Sequence, residues 1–285
     1  MGKYLLLFIA FFLSNATFAQ INKDLGSSQT NRYARMPKQE TLGTTELTCV
    51  YNHYVFDPVL NEKNLYRQIL QAGKDISLFC DYGDFVIDSI VNSINRNKFP
   101  KAEYNALYQK YKAYNKKRMI IKNKVEGELS ERGNIFIDHY VYRENIPSFD
   151  WSLHQDTMTI CGHECKKATA TFRGRTWIVW YAENINISDG PWKFNGLPGL
   201  ILKAESEDKE IRFVATQILF RSINILKDKN NNDFYTTRER FLKMEHSYKT
   251  SASQYIAGIV DVTNGDLPNT RMFYNPIEKD IKITQ

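Results

Sequence analysis

Between Met119 and Leu219 the chain is a succession of short segments with the two-residue alternation of half-buried strands. They are Met119–Val125, Ile135–Glu144, Trp151–Ile160, Cys165–Phe172, Thr176–Tyr181, Leu200–Glu205 and Ile211–Leu219. Several connections are short and carry Gly133, Gly162, Gly174 or the polar run Ser206–Glu210. A parallel crossover needs about a dozen residues or more, so short connections impose antiparallel neighbours. In Trp177–Tyr181 both faces are apolar, which places this strand in the middle of the sheet.

Upstream, Glu46–Phe56 is rich in Val, Tyr and Thr and reads as a strand. Leu65–Ala72 reads as a strand or a short helix, and Ile76–Cys80 as a short strand. Two helices follow. Gly83–Ile94 sets Ile87, Ile90, Val91 and Ile94 on one face, and Lys101–Tyr114 sets Tyr104, Leu107, Tyr108 and Tyr111 on another. A third helix starts from a cap at Thr236 or Thr237 and runs to about Tyr248, burying Phe241 and Met244. The pattern predicts an α+β fold: a curved antiparallel β-sheet, a half-barrel, with a few packing helices.

Residues 1–19 read as a signal peptide: Lys3, an apolar stretch Tyr4–Leu13, and Thr17-Phe18-Ala19 before cleavage. Residues 20–45 read as a polar N-terminal arm and 46–285 as a single domain. No later apolar run is long enough for a helical membrane span, so the expectation is a periplasmic or outer-membrane-associated protein. The formal charge of +6 is spread out, except around Lys110–Lys124. That run reads as a solvated basic face rather than a nucleic-acid surface. An exported chain with Cys49, Cys80, Cys161 and Cys165 reads first as disulfide-bonded; Cys49–Cys80 with Cys161–Cys165 is the simplest of three pairings.

No nucleophile elbow, zinc-protease motif or phosphate loop is present. The five histidines are scattered. Asp138–His139 alternate faces, and His154 with Asp156 share a face that nothing else converges on, so no catalytic residue and no cofactor are assigned. The segment Asp189–Leu200, DGPWKFNGLPGL, is too punctuated for helix or strand yet spends Trp192, Phe194, Leu197 and Leu200. It reads as a plug closing one end of the sheet or as a ligand-facing lip. On the second reading Trp177, Trp180, Trp192, Phe194 and Leu197 line a site for an apolar small molecule or a protein partner of the periplasm or outer membrane. A metal-handling alternative places Cys161, His163 and Cys165 on one face of a straight strand, a set suited to copper or zinc.

The words FRGR, DGPWKFNGLPGLIL (Asp189–Leu202) and CGHECKKA (Cys161–Ala168), with Tyr274-Asn275-Pro276-Ile277 near the end, resemble the GLPGLI family of exported Gram-negative proteins. Nearly all of the chain after the leader is covered. The family commonly has a tyrosine where His163 stands, and Cys161 is an addition to its pattern. The resemblance implies export and no catalytic residues. The order of strands and helices also looks like the half-barrel of lipoprotein-carrier proteins, at the level of fold only.

Overall fold

A computed structural model describes residues 32–111, 118–229, 232–257 and 271–281. The leader, the start of the arm and residues 112–114 of the second helix's expected span lie outside the described residues. Among the described residues there are fourteen strands and four helices. In chain order they are β1 (Gln39–Thr44), β2 (Leu47–Asp57), β3 (Glu62–Ala72), β4 (Ile76–Asp81), α1 (Tyr82–Ile94), α2 (Lys101–Tyr111), β5 (Arg118–Asn123), β6 (Glu128–Ile135) and β7 (Asp138–Asn145). They continue with β8 (Ser152–Ile160), β9 (His163–Phe172), β10 (Arg175–Ala182), β11 (Leu200–Ser206), β12 (Ile211–Leu219), β13 (Asn224–Asp228), β14 (Asp233–Tyr235), α3 (Arg238–Thr250) and α4 (Ala252–Ala257).

Twelve strands form one open, curved sheet in the order β14-β7-β6-β5-β4-β3-β2-β12-β11-β10-β9-β8. Every pairing in it is antiparallel except β14 with β7. Both strand meanders are therefore sequential, and β2 joins them by pairing with β12. The turn between β8 and β9 is Cys161-Gly162, with φ of 50° and 81°. Two successive left-handed residues give the hairpin turn whose twist matches its strands. Gln39–Thr44, expected to be loose, pairs with β13 as a separate ribbon.

The main core lies on the concave face. Cys49, Leu70, Phe79 and Ile120 stand in register across β2, β3, β4 and β5, and Phe213, Ala204, Val179 and Ala168 form a second row through β12, β11, β10 and β9, opposite His53 rather than Cys49 on β2. On the other face, Val50, Ile69, Leu78 and Cys80 pack beneath α1 and the β1–β13 ribbon. This register corrects the expected Cys49–Cys80 disulfide. Leu70 faces both Cys49 and Phe79, whereas Ile69 faces Cys80, so the two cysteines point to opposite faces of the sheet. All four cysteines are free thiols. Cys161 sits in the hairpin turn with its Sγ on the Ala215 carbonyl at 3.3 Å, and the Cys165 Sγ is turned to the His163 carbonyl.

The helices pack largely as their periodicity predicts, except that Ile94 is exposed and Met244 only half-buried. α1 buries Ile87 and Val91 against Phe99 and the tyrosines of α2. Thr237 caps α3, its hydroxyl accepting the Arg240 N–H at 3.2 Å, and Phe241 and Leu242 pack on Ile135 and Tyr142. The closing segment 271–281 returns to the concave face. Arg271 and the Tyr274 N–H hold the buried Asp57 carboxylate, and the Asn275 amide donates to the Phe56 carbonyl at 2.7 Å.

Candidate functional site

The segment between β10 and β11 crosses the concave face and fills it. Trp192, Phe194, Leu197 and Leu200 are all buried. Phe194 stands edge-on to Trp177 and Trp192, with centroids at 4.9 and 5.1 Å. Each such side chain contributes roughly 1.5–3 kcal/mol on burial. Packing of this kind holds Trp192 at φ 52°, a region where bulky residues are outliers. Gly199 (φ 156°) ends the segment where any Cβ would lie 2.3 Å from the Ala182 carbonyl oxygen.

Two buried charges pin the segment. Asp189, fully buried, accepts from Lys122 at 2.6 Å and meets Lys124 at 3.2 Å. Burial works against its carboxylate, but the two ammonium groups overcome that and hold its pKa below the ordinary range. Lys122 also donates to the Gly190 and Phe194 carbonyls, at 3.2 and 2.9 Å. Lys193, fully buried, reaches Glu144 and Glu278 at 2.6 Å each, the Tyr142 hydroxyl at 2.9 Å and Glu131 at 3.3 Å. Burial lowers its pKa, and the three carboxylates more than restore it. Glu131 is shared with Arg118, which also holds Glu245. Burial would raise the Glu131 carboxyl, but Arg118 and Lys193 bring it down to about 2. The network continues through Glu278 to Arg238 and Asp280.

Beside this network the concave face keeps a cavity of about 180 Å³. Its floor is His53, Gln68, Phe79 and Phe213; Arg118, Glu131, Glu245 and Lys249 form one wall; the segment Phe273–Ile277 forms another. His53 stacks on Phe213 with centroids 4.0 Å apart, and its Nδ1 is 2.9 Å from the Gln68 amide oxygen. The half-buried Tyr66 ring borders the same space. The volume falls below the roughly 300–1,000 Å³ of a drug-sized site and suits a single ring with several polar substituents. A larger cleft of about 670 Å³ lies on the opposite face of the sheet, between α1, the ribbon and β14.

The residues singled out in the sequence scatter over this architecture. Of the five apolar candidates, Trp192 alone borders the concave cavity. Trp177, Phe194 and Leu197 are packed inside the core. Trp180 faces the opposite side, half-buried between Lys167 and Lys203 on the neighbouring strands. Cys161 occupies a turn rather than a straight strand, Cys165 is buried, and His163 is engaged with Asn184. Among the described residues no three His, Cys, Asp or Glu side chains converge as metal ligands. Lys193, Glu131 and Lys122 went unnoticed in the sequence. Their signal was a charge at an inward position: Glu131 follows Leu129 and precedes Gly133 and Ile135 on one face of β6.

The fold and its pinned central segment define an open curved-sheet domain closed by its own buried salt bridges. The chain belongs to the family described as "N-glycanase peptide, N-terminal domain", which matches residues 63–244. No curated protein matches it. Structures of PNGF-II in two crystal forms superpose with a TM-score of 0.48 each, at 18% and 17% identity. They cover 73% of this chain but 34% and 33% of their own, so the chain spans about a third of their length. A structure described as an outer membrane lipoprotein-sorting protein domain from Vibrio parahaemolyticus aligns with a TM-score of 0.20 at 8% identity, over 63% of this chain and 86% of that one. No helix among the described residues is long and apolar enough to cross a membrane.

Proposed function

We propose that this chain is an exported, non-catalytic binding domain that seats one sugar-sized ring in its concave cavity. The observation that carries the reading is the cavity itself: single-ring volume, the aromatic rings of Tyr66 and Phe213 in its lining, and the polar groups of Gln68, Glu245 and Lys249 around it. Aromatic faces paired with planar polar side chains are what a sugar, with apolar C–H faces and hydroxyl edges, requires. Membership of a family described by the word N-glycanase supports a glycan as the source of that ring. The resemblance to exported GLPGLI proteins supports action in the periplasm or at the outer membrane, with an envelope protein as a further partner.

The test is titration of the purified protein with N-acetylglucosamine and its β1,4-linked dimer, followed by protein-observed NMR. Binding at millimolar or tighter affinity is expected, with shifts at the His53 and Tyr66 rings and at least a fivefold loss in Tyr66→Ala. Shifts confined to other regions, or no shifts at all, would refute the assignment. The absence of hydrolysis products from a glycopeptide in the same tube supports the non-catalytic part; released glycan would overturn it.

A further inference from the structure

The wall of the concave cavity contains a cation, Lys249, that forms no ion pair among the described residues. Arg118 is committed, with one nitrogen on Glu131 and another on Glu245. Glu245 precedes Lys249 by one helical turn, the spacing at which the two could pair. That pairing is not made, because Arg118 takes the Glu245 carboxylate. Among the described residues the Lys249 ammonium meets no carboxylate within ion-pair distance. Its polar contact is the Met272 sulfur at 4.0 Å, and it lies 5.5 Å from the centre of the Tyr248 ring.

This is an unusual arrangement for a lysine. A lysine in the last turn of a helix complements the helix dipole, and that alone explains a charge at this position. It does not explain why the side chain is drawn toward a cavity that already holds Arg118. Burial, and then the repulsion of Arg118, lower the Lys249 pKa; Glu245 opposes them without cancelling them. A half-buried charge with no ion-pair partner is partly desolvated at a cost, and an anion entering the cavity would relieve it.

We infer that the cavity selects a ring bearing a carboxylate, an acidic sugar of the uronate class, with Lys249 as its ion-pair partner. The inference rests on the sugar-binding reading above and deepens it. Glu131 and Glu245 do not repel such a ligand decisively, since Arg118 and Lys193 already neutralise them. The carboxylate engages Lys249 at the α3 wall while the ring packs against Tyr66 and Phe273.

The experiment compares D-glucuronate with D-glucose, which share a ring and differ at the carboxylate, by NMR titration of the whole protein near neutral pH. Glucuronate is expected to bind at least tenfold more tightly, with the advantage shrinking in added salt. Lys249→Gln should remove the preference, so that the two sugars bind equally; Lys249→Arg should keep most of it. A thermal melt of each variant establishes that it is folded. Equal binding of the two sugars, or a preference that survives in Lys249→Gln, overturns the inference and leaves the sugar-binding reading standing. Failure of these sugars and of N-acetylglucosamine to shift any cavity residue overturns both.

Discussion

Replacing Lys193 with methionine tests whether the central segment is held by charge or only by packing. Lys193→Met keeps most of the volume and removes the ammonium shared by Glu131, Glu144 and Glu278. Breaking a buried ion pair by deleting one partner costs about 3–5 kcal/mol, because the remaining charges stay buried. An independent figure comes from Glu131. Its fall from an ordinary 4.5 to about 2 corresponds to about 3 kcal/mol at ~1.4 kcal/mol per pKa unit, shared between Arg118 and Lys193. The sign follows from the direction: a depressed carboxyl contributes its stability above pH 4.5 and loses it as pH falls toward 2. In the variant Glu131 protonates more readily, so the penalty should be largest at pH 7 and smaller at pH 4. Urea unfolding followed by tryptophan fluorescence at both pH values measures it. A loss below about 1 kcal/mol at pH 7, or a loss that grows at pH 4, would refute the electrostatic account.

Other perturbations separate the remaining claims. Trp192→Ala and Phe194→Ala should each lose about 3–5 kcal/mol in urea unfolding, whereas the half-buried Trp180→Ala should lose less than half of that; a reversed order would mean that the segment is not part of the core. Gly199→Ala should cost about 1–3 kcal/mol from backbone conformation and more from the clash with Ala182, read as a lowered melting temperature. In the native protein Cys161 should react with a thiol reagent, while Cys49, Cys80 and Cys165 react only after unfolding: burial raises all three thiols, Cys165 to about 11. Fewer than four thiols in denaturant would show that the sheet accommodates a disulfide.

Much of the sheet was legible because its strands obey a single period. β9, β10, β11 and β12 appear where alternation placed them, and the double-sided apolar run Trp177–Tyr181 does sit between neighbours on both sides. Alternation does not mark β6, and it runs Ile135–Glu144 together as one strand, since the inward positions of β6 include Glu131 and Gly133 rather than a run of apolar residues. β1 was missed because its six residues make a two-stranded ribbon outside the large sheet, with little apolar surface to announce it. The plug reading of Asp189–Leu200 follows from its large apolar residues. The cavity was not legible, because His53 and Gln68 of the β2–β3 hairpin, Glu245 of α3 and Tyr274 come from three distant parts of the chain and meet only in the folded sheet. Register likewise decided the cysteines: a one-residue offset sends neighbours to opposite faces, and composition carries no trace of it.

The segment 271–281 has a consequence for the order of events during folding. It supplies one cavity wall through Phe273–Ile277, the cap on Asp57 through Arg271, and the Glu278 carboxylate against Lys193. Its partners lie as much as 219 residues earlier in the chain, so those contacts close long loops and form late. Until they form, Asp57 and Lys193 lack part of their compensation and the cavity lacks a side. The domain therefore completes its cavity and its last buried charge pairs in one step, and a chain shortened before Arg271 would lose the cavity wall and stability together.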